Sequence, residues 1–147
     1  DLASQLNMEE SKLLLLTRKL LDAVANGDYE TYSQITDPSL TCFEPETGGQ
    51  CVEGVEFHKF FFDAARAREQ QGRLRPITTL VNPHVQIYHG DVAVVTYVRI
   101  VQSVSPVHGS PQISESCETR VFRKKGPSWV NVHFHRSEVP RRAAGKM

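Results

Sequence analysis

The sequence predicts one α+β domain, with helices in the first half of the chain and an antiparallel sheet in the second. Its 147 residues match the size of one ordinary domain. Apolar residues recur at helical spacing up to about residue 71 and then form long strand-like runs separated by Gly, Pro or Ser. We therefore expect one domain over residues 1–147, with a core of about 9–137 and short flexible termini.

The first two helices are predicted from their end signals. Asn7 and Glu10 have the spacing of a capping box, so the first helix is expected to begin there and to end at Asn26 and Gly27. Asp28 is a suitable cap for a short second helix, which would end before Pro38.

A third helix and four long strands complete the predicted domain. The helix is expected over 54–71, with Phe57, Phe60, Phe61, Ala64 and Ala65 on its apolar face. Two short extended pieces, 40–43 and 50–52, precede it. The four strands are expected at 74–88, 92–104, 112–124 and 129–137. Short turns between them predict an antiparallel, curved sheet with the helices on one side.

Composition and charge exclude several classes of function. Lys and Arg total 17, and so do Asp and Glu, so there is no net charge that would attract nucleic acid or an anionic membrane. Apolar runs are too short to span a bilayer. The cysteines number three and lack CxxC spacing, which favours reduced thiols in a cytoplasmic protein over disulfides or a zinc site.

Motifs of catalysis and cofactor binding are absent from the sequence. There is no phosphate loop, GxGxxG, GxSxG or HExxH, and no kinase signature. His133 and His135 share a strand face, but no third ligand completes a metal set, so we expect no metal. We likewise expect no cofactor and no catalytic residue.

Three arginines interrupt otherwise apolar strand faces. Arg99 shares a face with Val95, Tyr97 and Val101, and Arg120 shares one with Glu118 and Phe122; Arg136 is expected to share one with Val130, Val132 and Phe134. Arginine is almost never buried without a partner. One interpretation is a cleft in which the arginines converge and bind a carboxylate or phosphate. The other is that each arginine reaches solvent or pairs with Glu118 or Glu115.

Several segments in order closely resemble the association, or hub, domain of calcium/calmodulin-dependent protein kinase II. The resemblance extends from about Glu9 to Ser137. The segments are NGDYETY at 26–32, DP at 37–38, FEPE at 43–46, VEGVEFHKF at 52–60, NPH at 82–84, YVRI at 97–100, ETRV at 118–121 and VHFHRS at 132–137.

This resemblance implies both an architecture and a function. The architecture is a nuclear-transport-factor-2-like cone, with a long N-terminal helix packed on a strongly curved antiparallel sheet. The function is non-catalytic self-assembly into two stacked rings with dihedral symmetry, on the order of a dozen subunits or more. In a full-length kinase, such a scaffold gathers kinase domains so that one subunit phosphorylates its neighbour. Whether a kinase domain is attached here, the sequence does not say.

The resemblance also implies a ligand cleft for small carboxylates or acidic peptides. The family's inward arginines correspond to Arg99, Arg120 and Arg136, and its cleft histidine to His58. Arg66 stands at the position of the family's mobile cleft tryptophan, on one helical strip with His58. The segment from Arg66 to Pro76 is longer than is usual in the family.

Two other functions remain open for the same fold: a small-molecule isomerase or dehydratase, and a stand-alone ligand-binding module. The enzyme would need a general base in the cleft. His58 is the one candidate, and the sequence shows no carboxylate that orients it.

Overall fold

A long N-terminal helix, α1, spans Leu2–Asn26 in the computed structural model, which describes residues 1–140. It begins before the predicted capping box because the Asp1 side chain accepts a hydrogen bond from the Ser4 amide, at 2.8 Å, and caps the helix there. Residues 2–8 are therefore helical. The helix ends as predicted at Gly27, which has a left-handed φ of 70°. Most of the C-terminal segment that follows the predicted core, 141–147, lies outside the described residues.

Helix α2 spans Tyr29–Ile35 and is capped by Asp28, as predicted. Helix α3 spans Lys59–Gln70 and follows a 3₁₀ turn at Val55–His58. The buried side chains recur at i, i+4 and i+7 from His58, on a helical strip that differs in part from the predicted one. The predicted apolar face is therefore wrong in part: Phe60 and Ala64 are exposed, whereas the buried residues are His58, Phe62 and Ala65.

Six strands form one sheet in the order β2-β1-β6-β5-β4-β3. All neighbours are antiparallel except β1 and β6, which are parallel. Turn signals did not predict this pair, because β1 precedes α3 and reaches the sheet over a long connection. The strands are β1 Thr36–Phe43, β2 Val52–Glu53, β3 Ile77–Tyr88, β4 Val92–Val104, β5 Pro111–Lys125 and β6 Ser128–Glu138.

A β-bulge in β6 determines which side chains face inward. Val121 pairs with His133, whereas the next residue of β5, Phe122, pairs with Asn131, so Val132 is the extra residue. The predicted face of Arg136 is therefore wrong in part. The buried or inward side chains of β6 are Trp129, Asn131, Phe134 and Arg136, and not Val130 and Val132.

Helix α1 packs on the inner face of the sheet and forms the core with it. Leu13 and Leu20 are fully buried and belong to one apolar cluster with Val95 of β4 and Phe122 of β5. No helix within residues 1–140 has the length and apolarity needed to cross a membrane.

Candidate functional site

Inward side chains of the sheet and of the segment before α3 enclose a cavity of about 50 Å³. Each of the three long central strands contributes one arginine, and the 3₁₀ turn contributes His58. Four of the five predicted site residues thus line the same cavity: Arg99, Arg120, Arg136 and His58. Ligand binding by these residues stays a prediction.

Arg120 is the most enclosed of the three arginines, at 2% exposure. Its Nε donates to the Tyr97 hydroxyl at 2.9 Å, and its Nη1 donates to Asn131 Oδ1 at 2.8 Å. The guanidinium carbon lies 3.9 Å from the ring centroid of Phe134, in a cation–π contact. Arg120 is therefore paired on several sides within the protein.

Glu118 connects Arg120 to Arg99. Its Oε1 accepts from the Tyr97 hydroxyl at 2.7 Å, and its Oε2 accepts from the Ser116 hydroxyl at 2.8 Å. Arg99 Nε lies 2.8 Å from the same Oε2 as an ion pair, although the geometry of this contact is not that of a hydrogen bond. Burial raises the pKa of Tyr97, which keeps the hydroxyl protonated as a donor. The sequence left two interpretations open: arginines that line one cleft, or arginines that pair with Glu118. In the structure, the three arginines line one cavity, and one of them, Arg99, also pairs with Glu118.

His58 is buried between Tyr32 and Glu44. Its Nε2 lies 2.7 Å from Glu44 Oε1, and its Nδ1 lies 2.9 Å from the Tyr32 hydroxyl. Burial raises the pKa of Tyr32 to about 12, which keeps its hydroxyl protonated. The sequence interpretation missed this carboxylate. The signal for it was the i, i+2 series Leu40, Cys42 and Glu44, which places Glu44, directly after β1, on the same buried side as the first two.

Arg136 stands at the mouth of the cavity and binds an exposed loop. Its Nη2 contacts both carboxylate oxygens of Glu46, with Oε1 at 2.6 Å. The same Nη2 lies 3.8 Å from Glu44 Oε2, a buried oxygen without a hydrogen-bond partner. The Arg136 side chain is 10% exposed, and that of Glu46 is 35% exposed.

Arg66 lies away from the cavity lining, unlike the other predicted site residues. It is exposed, and its Nε donates to the Gly27 carbonyl oxygen at 3.2 Å. A Cβ on Gly27 would lie 3.1 Å from Arg66 Cγ and 3.2 Å from the Phe62 carbonyl oxygen, so the close approach requires glycine. Arg66 thus contacts the end of α1.

The histidine pair of β6 does not converge on a metal-like site. His133 Nδ1 lies 2.8 Å from the Thr41 hydroxyl. His135 is exposed and packs against the ring of Phe43, with ring centroids 5.5 Å apart. Burial first, and then His135, lowers the pKa of His133, which favours its neutral form.

Cys42, Glu44 and His58 place one potential ligand atom each within 4.8 Å of one another, a grouping that occurs once within residues 1–140. Both ring nitrogens of His58 are already in hydrogen-bond contact. Burial, with a smaller effect of Glu44, raises the pKa of Cys42 to about 11, and the Arg136 cation lies 3.8 Å from Glu44. This environment favours a neutral thiol and repels a second cation.

Comparisons with known proteins identify the family of the chain. The model of the calcium/calmodulin dependent protein kinase II association domain matches residues 9–140. The delta subunit of this kinase from Oryctolagus cuniculus is 41% identical over 132 residues, which is 89% of this chain and 24% of that protein. The chain thus spans about a quarter of the length of this curated relative.

Solved structures of the same family have folds similar to that of this chain. The association domain of C. elegans CaMKII has a TM-score of 0.78 at 40% identity, covering 89% of this chain and 96% of that one. The CaMKII hub homology domain of Chlamydomonas reinhardtii has a TM-score of 0.78 at 36% identity, covering 90% and 99%.

A more distant likeness confirms the predicted nuclear-transport-factor-2-like fold. A protein of the NTF2-like family from Streptomyces avermitilis has a TM-score of 0.69 at 22% identity, covering 90% of this chain and 97% of that one. The association, or hub, domain is the non-catalytic, self-associating part of the kinase. The chain belongs to the calcium/calmodulin dependent protein kinase II association domain family.

Proposed function

We propose that this chain is an oligomerisation scaffold that closes into two stacked rings with dihedral symmetry, on the order of a dozen subunits or more. The observation that carries this proposal is the family match over residues 9–140. In a full-length protein, the assembly would hold kinase domains close together, so that one phosphorylates its neighbour. We place it in the cytoplasm, in keeping with three cysteines that are all free.

The second part of the proposal is that the cavity receives a carboxylate, from a small acid or from an acidic peptide. The supporting observation is the convergence of Arg99, Arg120 and Arg136 from three neighbouring strands. A guanidinium binds a carboxylate through charge-assisted hydrogen bonds. Arg120 is already paired within the protein, so Arg136 at the mouth is the primary binding group.

Catalysis on this fold is the weaker alternative. Glu44 does orient His58, at 2.7 Å, which is the geometry of a base and its positioning group. However, both ring nitrogens of His58 are already in hydrogen-bond contact, with Tyr32 and with Glu44, so neither is free to take a proton from a substrate. We therefore assign Glu44 and His58 a structural role, in which their contact stabilises one wall of the cavity.

Sedimentation velocity over a hundredfold dilution series tests the scaffold. We expect one large, closed species whose sedimentation coefficient does not change with dilution, because closed rings satisfy all their interfaces. A species of the size of one 16.6 kDa chain at every concentration would contradict the proposal.

Calorimetric titration with sodium acetate tests the carboxylate site. Arg136→Glu reverses the charge at the mouth of the cavity. We expect this variant to lose the acetate binding that the wild-type chain shows, since like charges repel. Arg73→Glu, on an exposed segment, is the matched control and should leave binding unchanged. Equal acetate binding by wild type and Arg136→Glu would show that the assigned cleft is wrong.

A further inference from the structure

We propose that Glu46 is an internal carboxylate that occupies Arg136, and that an acidic ligand binds by taking its place. This inference rests on the proposed carboxylate function of the cavity and specifies how that site is filled. Glu46 Oε1 lies 2.6 Å from Arg136 Nη2, and Oε2 contacts the same nitrogen. The contact is of the kind that a ligand carboxylate would make.

Glu46 occupies only one of the two terminal nitrogens of Arg136. Both oxygens of Glu46 share one nitrogen, Nη2, whereas a guanidinium offers two parallel N–H groups to a carboxylate that approaches in its plane. The other terminal nitrogen, Nη1, lies 3.8 Å from the exposed Glu138 and makes no close ion pair with it. A free carboxylate is able to use two nitrogens at once and thus competes with Glu46.

We expect Glu46 to leave Arg136 at a small cost in free energy, because it lies on an exposed loop. Glu46 lies in a 3₁₀ turn, Pro45–Thr47, and its side chain is 35% exposed. Gly48 and Gly49 follow with φ values of 64° and 83°, and no atom lies within 4 Å of the position of a Cβ on either. Because the Glu46 carboxylate is partly exposed, water can replace Arg136 as its partner, and exchange of this ion pair for a ligand costs little free energy.

Arg136 also connects the cavity to the protein surface. It lines the inner cavity of about 50 Å³ and, on its other side, an open depression of about 370 Å³. Pro45, Thr47 and Ser137 line this depression together with Arg136. A ligand in the depression therefore reaches the guanidinium once Glu46 has turned away.

Charge balance at the site indicates a ligand with one carboxylate. Three arginines line the cavity, and four carboxylates lie within 4.0 Å of them: Glu44, Glu46, Glu118 and the exposed Glu138. A single ligand carboxylate that replaces Glu46 at Arg136 keeps this balance. The structure thus favours a monocarboxylate, or one acidic side chain of a peptide, over a dicarboxylate of similar size.

Saturation-transfer difference NMR with sodium acetate on the full chain tests the competition. Glu46→Gln removes the competing charge and should tighten acetate binding by about 1.5- to fivefold, the range expected for loss of one partly exposed ion pair. Glu46→Asp is one methylene shorter and should tighten it less. Glu53→Gln, exposed on neighbouring β2, is the matched control and should have no effect. Arg136→Gln should weaken binding.

The results separate this inference from the proposed function. If Arg136→Gln weakens acetate binding while Glu46→Gln and Glu46→Asp leave it unchanged or weaken it, Glu46 does not compete and the carboxylate site stands. If Arg136→Gln has no effect, the carboxylate site itself is wrong, and the inference falls with it. Sedimentation of each variant at the wild-type rate checks that the fold is kept.

Discussion

The inner end of the cavity and its mouth use the same residue type in opposite ways. At the inner end, Arg120 is 2% exposed and is paired with Tyr97, Asn131 and the ring of Phe134. At the mouth, Arg136 is held mainly by one carboxylate on an exposed loop. Burial and the number of internal partners, rather than the residue type, decide which arginine is structural and which is free to exchange partners.

The difference follows from desolvation. A guanidinium taken out of water loses its hydration, and only a full set of fixed partners offsets this loss. Removing one of those partners leaves a buried polar group unpaired, which costs far more than the pair contributes. A guanidinium near water replaces a lost protein partner with water or with a ligand anion.

The largest effect is expected for Arg120→Met, which keeps an apolar stem but leaves Tyr97 and Asn131 without their charged hydrogen-bond donor. We expect a loss of about 3–5 kcal/mol in the free energy of unfolding, because several buried polar groups lose a charged partner at once. Urea denaturation at fixed protein concentration measures it. Arg123→Met, on the exposed face of the same strand, should cost less than about 1 kcal/mol. Equal losses would remove the contrast between buried and exposed arginines.

Arg99→Met should have an intermediate effect. The Arg99 side chain is 18% exposed, and its Glu118 partner keeps hydrogen bonds from Tyr97 and Ser116 after the substitution. We expect a loss of about 2 kcal/mol, the cost of removing one charged partner from a buried group. The same urea titration checks it, and a loss as large as that of Arg120→Met would show that Arg99, too, is structural.

Arg136→Gln should change stability by only about 1 kcal/mol, because its Glu46 partner is partly exposed and its more distant partner, Glu44, keeps the contact with His58. Thermal unfolding of the variant beside the wild type gives the comparison. A drop in unfolding temperature like that of Arg120→Met would mean that the mouth is as structural as the inner end.

The smallest effect lies outside the cavity, at His133 on the outer face of β6. Its folded pKa is lowered, so the unfolded state binds more protons, and stability present above the unfolded value of about 6.5 is lost as pH falls below it. His133→Asn should flatten this dependence. Urea midpoints at pH 7.5 and 5.5 for both chains test it, and identical pH dependence would rule out this role of His133.

Local signals in the sequence predicted most of the helices and strands. They did not predict features that depend on pairing between distant strands. The bounds of β4 agree at both ends, since its apolar run stops at turn residues on either side. The bulge at Val132 and the parallel pairing of β1 depend on strand partners distant in sequence. A period-of-two pattern therefore placed Val130 and Val132 on the wrong face.

The site was predictable where a residue type conflicted with its surroundings. Arg99, Arg120 and Arg136 stood out because charged residues interrupt apolar strands. Glu44 and Glu46 did not, since acidic residues beside Pro45 and two glycines are typical of a solvated loop. The placement of Arg66 depends on its contact with Gly27, which is 39 residues away along the chain.

Native mass spectrometry of the chain tests the central claim, that this domain is a self-assembling scaffold. Two stacked rings related by dihedral symmetry contain an even number of subunits. We expect one dominant assembly whose mass is an even multiple of 16.6 kDa and which survives dilution. A dominant 16.6 kDa monomer, or an odd multiple, would contradict the account.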